Sequence, residues 1–391
     1  MDQVTSPAQT EAVRAVQLLR WVKNILSIVG LWPLDINDRR FVFSLICMVV
    51  HISSEYADLF HFIGSLEHVV TNLTETIAFM VATSQLAFLR INSREFREVI
   101  CTVQDNFQKE NHQSSKERRI LAKYHDKARM IIQLMALVQI SSAAICYLAP
   151  ITNILITMNR NGTSELNLPY YSRTFYDLSK IHSYVLTYAA QFPFTVVMSV
   201  GLIGPEYLIV FLILHVCGHL SSLVERINNI RTNCQVCHQE IEELVRRHIR
   251  LIWTAMTLKK ACSVLLLTQL IGGMLNICFV SYHVLLNAAE GQTSSFISFT
   301  VYILCTMSFV FINCYVGESL IQESDRVHQS FSECRWYEMS TKHATWMVIC
   351  MARAQQPLVM TAGNLYTFSF ASFMEIIKTS MAYLSVLRTL I

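Results

Sequence analysis

Charge is scarce in this chain. Of its 391 residues, 15% are Asp, Glu, Lys or Arg, where a soluble domain carries about 25%. Acids number 28 against 31 Lys plus Arg, and almost all of them lie outside the long apolar stretches. An enzyme working inside a bilayer needs ionisable groups that face one another there. The first six apolar stretches offer chiefly His51, Glu55, Asp58 and Glu206, which is poor material for one. The GxSxG, HExxH and P-loop spellings are absent, so those catalytic frameworks are excluded. No enzyme, no cofactor and no nucleic-acid partner is expected. Repeats, Gly/Ser linkers and low-complexity tracts are also missing, which leaves one domain over 1–391. Residues 1–40 lack the apolar core and small-residue cleavage site of a signal peptide. The first span is therefore expected to act as its own insertion signal.

Hydrophobic residues, by contrast, make up 53% of the chain, and the mean hydropathy is +0.38. Seven apolar stretches have spanning length, near 41–62, 68–89, 130–157, 183–214, 262–287, 296–319 and 362–388. They predict an all-α membrane protein with seven transmembrane helices. The fourth is too long for one crossing and too short for two. It reads as one span that continues as a helix beyond the membrane, bent by Pro193 and the Gly201, Gly204, Pro205 cluster.

The basic residues orient the bundle. The N-terminal segment and the loops after spans two, four and six hold 5, 10, 7 and 4 Lys plus Arg, which is 26 of the 31. The opposite loops hold Arg160, Arg173 and Lys180. Positive loops stay inside, so the N-terminus is expected in the cytosol and the C-terminus outside. Asn161 heads a glycosylation sequon in a loop this topology puts outside, and Asn72 heads a second one close to the membrane. None of the twelve cysteines falls in the outer loops, so no disulfide staple is expected there. Residues 216–260 and 320–358 carry apolar residues at helical spacing among charges. They read as helices that extend the spans into the cytosol and pack together.

Three features point to chemistry. First, the outer halves of several spans gather aromatics, Met and hydroxyls: Phe79, Met80 and Thr83; Ala144 and Tyr147; Tyr188 and Phe192; Phe299, Tyr302 and Thr306. Such a lining suits a small apolar ligand with one polar group, or plain helix packing. Second, a helical wheel drawn over 361–391 puts Asn364, Thr367, Ala371, Glu375, Lys378, Ala382, Ser385 and Thr389 on one stripe, with Val386 at its edge. A polar stripe on a spanning helix faces protein or water. It lines a pore or packs against sibling helices. Glu375 and Lys378 either pair at i, i+3, or Glu375 faces a conduction path. Third, Cys234, Cys237 and His238 spell CxxCH, with His215 and His219 as further zinc candidates. In a cytosolic loop the plainer reading is a set of reduced, ordinary residues, and no metal is expected.

From residue 317 onward the chain carries a recognisable series. Gly317-Glu318-Ser319-Leu320, Ser324, Val327, Trp336-Tyr337, Arg353-Ala354-Gln355 with Pro357, Thr361-Ala362-Gly363 and Tyr383-Leu384-Ser385-Val386-Leu387-Arg388 follow in that order. This resembles the C-terminal signature of insect odorant receptors, above all the divergent ligand-binding receptors of hymenopteran type. The resemblance implies a seven-helix odorant receptor with a cytosolic anchor (320–358, including Trp336, Tyr337 and His343–Gln355) and a last span (361–391) that lines a pore. It implies a heterotetrameric, odorant-gated cation channel formed with the co-receptor Orco in the dendritic plasma membrane of olfactory neurons. The ligand would be a volatile or cuticular-type odorant, and membrane lipid would surround the bundle. Carried over by position, Val386 falls at the family's hydrophobic gate. Thr389 falls one turn outward, where the co-receptor has Gln; Ala382 and Ser385 share the stripe. The chain lacks the co-receptor's long charged insertion after span four, so it looks like a tuning subunit. A gustatory receptor would show a different aromatic–Gln pattern in the last span. A G protein-coupled receptor would have its N-terminus outside, and a transporter would show internal symmetry.

Overall fold

The 21 residues from Val200 to Leu220 are apolar on nearly every side, and a helix with that pattern has no face to offer water. They form the axis of the bundle, all but Leu202 buried. The computed structural model describes residues 7–109, 114–159, 168–170, 181–230, 237–290 and 293–390, with side chains described over 14–65, 68–107, 114–148, 150–152, 154, 168–170, 181–230, 238–282, 300–382 and 385. Among the described residues the helices are α1 (Pro7–Ile28), α2 (Asp38–His61), α3 (Leu66–Ile91), α4 (Ser93–Lys109), α5 (Ser115–Asn159), α6 (Ile181–Asn228), α7 (Cys237–Glu290), α8 (Thr293–Glu333), α9 (Thr341–Ala354) and α10 (Phe370–Leu390). Two antiparallel hairpins interrupt them: β1 (Leu31–Trp32) with β2 (Asp35–Ile36), and β3 (Thr361–Ala362) with β4 (Tyr366–Thr367).

Each of the seven expected spans contains a long helix. α2, α5, α6, α7 and α8 are long and apolar enough to cross a membrane. α3 and α10 have spanning lengths of 26 and 21 residues. α6 and α7, with 48 and 54 residues, run about 70–80 Å at helical rise. A bilayer core is about 30 Å thick, so both project well beyond it, as the fourth stretch and the charged segment after it led us to expect. Pro193 and Pro205 lie inside α6 without ending it. Gly201 and Gly204 serve packing: a Cβ on Gly201 would sit 3.3 Å from Ala82 of α3, and one on Gly204 would sit 2.8 Å from Leu26 of α1.

Two elements depart from expectation. α1 falls in the segment read only as a charged N-terminus. Leu18, Leu19, Val22 and Leu26 form its buried stripe, and Trp21 stacks on Tyr207 of α6 at 5.4 Å. The second departure is at the last span, whose stripe was drawn as one helix from Asn364. That is corrected here: 361–367 is a hairpin, and α10 begins only at Phe370. Gly363 and Asn364 both have φ +59, a backbone state that ends a helix. The Ser369 hydroxyl then accepts from the Ser372 N–H at 3.2 Å and starts a new one. Asn364 and Thr367 therefore leave the stripe, while Ala371, Glu375, Lys378, Ala382 and Ser385 remain on α10.

At the basic end of the bundle α4 packs Phe96, Val99, Ile100 and Val103 inward, the i, i+3, i+4, i+7 pattern of a half-buried helix. Beneath it His125 of α5 meets His215 of α6, Nε2 to Nδ1 at 3.1 Å. The His215 ring lies 4.5 Å from that of His219. Burial holds His125 down to about 4 and His219 to about 3, helped at His219 by His125, Arg247 and Arg226. Burial likewise depresses His215 well below its usual value. In the window from about 6.5 down to about 4 the unfolded chain binds more protons at these sites than the folded chain, so stability falls with pH. The melting temperature of the purified protein is expected to drop by at least about 5 °C between pH 7 and pH 5. His125→Phe should make that drop shallower. A flat melting profile would show that these rings ionise freely in the fold.

Candidate ligand-binding site

Five helices leave a hollow where their side chains are small. Ala78 and Val81 of α3, Ala143 of α5 and the Gly272–Gly273 pair of α7 face one another, with Met198 and Leu202 of α6 and Phe309 and Val310 of α8 closing the rest. The cavity holds about 200 Å³ and is capped by Pro169 and Tyr170. Gly272 brings α7 against α3, because a Cβ there would lie 2.1 Å from Val81 Cγ2. Gly273 opens space, since its nearest neighbour would be Thr306 Cγ2 at 3.6 Å. Tyr170 is held by Gln191 of α6. Its N–H donates to Gln191 Oε1 (3.3 Å) and its C=O accepts from Gln191 Nε2 (3.1 Å). Its ring meets Phe79 edge-on at 5.3 Å.

The polar lining comes from four of the five helices, α3, α5, α7 and α8. Asn276 Nδ2 donates to the Tyr302 hydroxyl at 3.1 Å, which frees the Tyr302 O–H to donate elsewhere. Asn276 is 5% exposed, and its Oδ1 is buried with no hydrogen-bond partner among the described residues. A buried acceptor left unpaired costs about 1–3 kcal/mol. Beside an apolar cavity it marks the place where a ligand donor would be satisfied. Cys146, Gln139, Ser142 and Gln269 complete the rim with Thr74 and Glu75. Deeper in, Glu206 accepts from Asn313 Nδ2 at 2.9 Å, and the same amide lies 3.3 Å from Gln269 Oε1. This ties α6, α7 and α8 together below the cavity.

Of the residues expected to line a pocket, Tyr302 and Thr306 do. The others stand elsewhere. Phe79 is fully buried against His51 and Tyr170, and Thr83 Oγ donates to the Phe79 carbonyl at 2.7 Å. Met80 is 47% exposed and its sulfur accepts from the Tyr56 hydroxyl. Ala144 is exposed. Tyr147 and Tyr188 bond each other's carbonyls across α5 and α6, and Phe192 leans on Tyr147 from an exposed position. The side chain of Phe299 lies outside those described. Bulky rings settled in the seams between helices and on the outer surface, and the hollow formed beside the small residues. Gly272, Gly273 and Asn276, a glycine pair with an amide one turn on inside an apolar span, were the signal for it.

On α10, Ala382 and Ser385 are exposed, as are Glu375 and Lys378, between which no ion pair forms. Val386 and Thr389 belong to α10, but their side chains lie outside those described; Asn161 lies outside the described residues altogether. Asn72 is fully buried and donates to the Glu55 carbonyl and to Asp58. Cys234 also lies outside the described residues. His238 faces His343 of α9 at 2.7 Å, away from His215 and His219.

A bundle of membrane-length helices around a small, largely apolar cavity is an architecture suited to a membrane receptor for small molecules. The profile of the family described as 7tm Odorant receptor matches residues 65–381. The chain belongs to that family. It is 22% identical over 406 aligned residues to Odorant receptor 13a of Drosophila melanogaster, covering 93% of each chain. It is 24% identical over 187 residues to Odorant receptor 67c of the same organism, covering 47% of this chain and 45% of that one. The fold matches the insect olfactory receptor OR5 from Machilis hrabei with a TM-score of 0.81 at 14% identity, over 96% of this chain and 99% of that one. The same receptor in complex with eugenol matches with a TM-score of 0.77, over 96% and 100%. These relatives are odorant receptors and not enzymes.

Proposed function

We propose that this odorant receptor is the ligand-binding subunit of an odorant-gated, non-selective cation channel formed with the co-receptor Orco in the plasma membrane. The observation that carries the ligand reading is the unpaired Asn276 Oδ1 beside the Tyr302 hydroxyl, at the edge of an otherwise largely apolar cavity. An acceptor next to a donor suits an odorant with one hydroxyl or carbonyl on an apolar body. Eugenol, bound by the Machilis receptor, is a molecule of that kind. The charge pattern of 26 inner to 3 outer basic residues supports an inner N-terminus and an outer C-terminus. In that orientation α10 is the pore helix, with Val386 as a dewetting gate and Thr389, Ser385 and Ala382 along the same path. Asn161 is the proposed glycan site, and the segment with α9 the proposed tetramer anchor.

The test is a dose–response series on cells that express the chain with Orco. Tyr302→Phe keeps the ring and removes the hydroxyl. It is expected to raise the half-maximal concentration for hydroxyl- or carbonyl-bearing odorants about tenfold, the worth of one hydrogen bond. Hydrocarbons of the same length should shift little. Equal shifts for both classes would remove Tyr302 from the ligand's polar contacts.

A further inference from the structure

A second cavity lies at the opposite, basic end of the bundle. It holds about 320 Å³ between α4, α6 and α7 and is walled by Asn106, His215, His219, Arg246, Arg247 and Arg250, among others. The three arginines occupy two successive turns of α7. The acid in the wall, Glu243, already accepts from Arg247 Nε at 2.9 Å. Arg247 also lies 3.6 Å from Glu117 of α5, which accepts from Arg226 and Ser222 of α6. Arg246 pairs with Glu242 on the exposed face of α7. Arg250 takes no ion pair among the described residues. The wall itself therefore carries three cations against one carboxylate.

A second observation is independent of charge. His219 is 8% exposed, and its Nε2 is buried with no hydrogen-bond partner among the described residues. Its neutral ring, in the Nε2–H tautomer, holds a donor that the fold leaves unused. Guanidinium groups match planar or tetrahedral oxyanions with paired N–H donors. A lone carboxylate would satisfy one of them, whereas a phosphate ester presents enough oxygens for two arginines and the imidazole together. The volume exceeds that of a bare phosphate and leaves room for its organic substituent.

From the three arginines and the unpaired imidazole around one cavity, we infer that the basic end of this receptor binds a phosphate monoester. The site is separate from the odorant cavity. Thr254, in its wall, stands eight residues before the fifth span, and His215 one residue beyond the fourth. The Thr254 side of the wall thus lies within about 12 Å of the membrane boundary, a placement that rests on the proposed spans. Both a lipid headgroup and a soluble phosphoester can reach it.

The experiment uses the full chain in phosphatidylcholine nanodiscs, titrated with inositol trisphosphate, beside a second preparation whose nanodiscs contain a phosphatidylinositol bisphosphate. Saturable binding of the soluble probe, competed by inorganic phosphate, assigns a soluble source. A rise in melting temperature seen only with the phosphoinositide assigns a headgroup. Either outcome is expected to weaken about tenfold in Arg250→Gln and further in Arg246→Gln with Arg250→Gln. Arg250→Lys should recover part of the loss, which separates charge from fold. The proposal is overturned if neither probe acts on the wild-type chain, or if the glutamine variants respond like wild type. Odorant responses of the same variants, recorded with Orco, report on the receptor function independently.

Discussion

Gly317→Val is expected to abolish odorant-evoked current while leaving the helices of the bundle folded. Gly317 lies on α8 against Phe368, in the segment that leads into α10. A Cβ there would stand 2.4 Å from the Phe368 carbonyl oxygen and 2.9 Å from Phe368 Cβ. The nearest obstacle is backbone, so no side chain can swing aside. Phe368 is itself fixed, 3% exposed, with its N–H donating to the Met360 carbonyl at 3.0 Å. One residue beyond Gly317, Glu318 accepts from the Phe370 N–H at 3.2 Å and caps α10. Two methyl-bearing branches forced into this joint cost about 3 kcal/mol or more, and the root of α10 must move to relieve them. Gly317→Ala should give an intermediate current. The check is whole-cell recording with Orco, normalised to surface staining. Full current from surface-expressed Gly317→Val would show that this joint does not hold the proposed pore helix.

The second large effect concerns the partner. Expressed without Orco, this chain is expected to give at least about tenfold less odorant-evoked current than with it. Lys378 is exposed on α10 and takes no ion pair among the described residues, and Glu375 one turn away is equally exposed. Four identical chains would place four Lys378 around one axis, where their repulsion grows as water is excluded. Substituting co-receptor subunits lowers that number. Robust cation current from cells shown to lack Orco would overturn both the charge argument and the tuning-subunit proposal.

Long apolar runs made the helices legible. The first two were read to within a few residues, 41–62 becoming Asp38–His61 and 68–89 becoming Leu66–Ile91, whereas 183–214 became Ile181–Asn228 and 262–287 became Cys237–Glu290 because charged turns continue those helices. What escaped was set by short-range geometry or by absence of bulk. The hairpin at 361–367 depends on two positive φ values at Gly363 and Asn364, and a helical wheel drawn through them has no means of registering a turn. α1 hid because its apolar stripe is narrow and Glu11, Arg14, Arg20 and Lys23 are interleaved with it. The cavity was sought beside Phe79, Tyr147, Tyr188 and Phe192, where large rings sit. Those rings bury more surface by filling helix seams. The hollow is a remainder, left where Ala78, Gly272 and Gly273 have nothing to put there. Tyr302 and Thr306 were legible because a hydroxyl on an apolar helix is conspicuous wherever it points.

The hairpin after α9 is held by two of the five helices that wall the cavity, α7 and α8. Gly363 N–H donates to the Ser263 carbonyl of α7 at 2.9 Å, six residues from Gln269 on the cavity rim. On α8, Val310 lines the cavity and Gly317 presses on Phe368 seven residues later. Along each helix the separation is about 10 Å at helical rise. A hydrogen-bonded helix transmits displacement along its axis with little give, whereas a loop would dissipate it. Two short stretches of helix thus join the wall of the cavity to the segment that leads into α10.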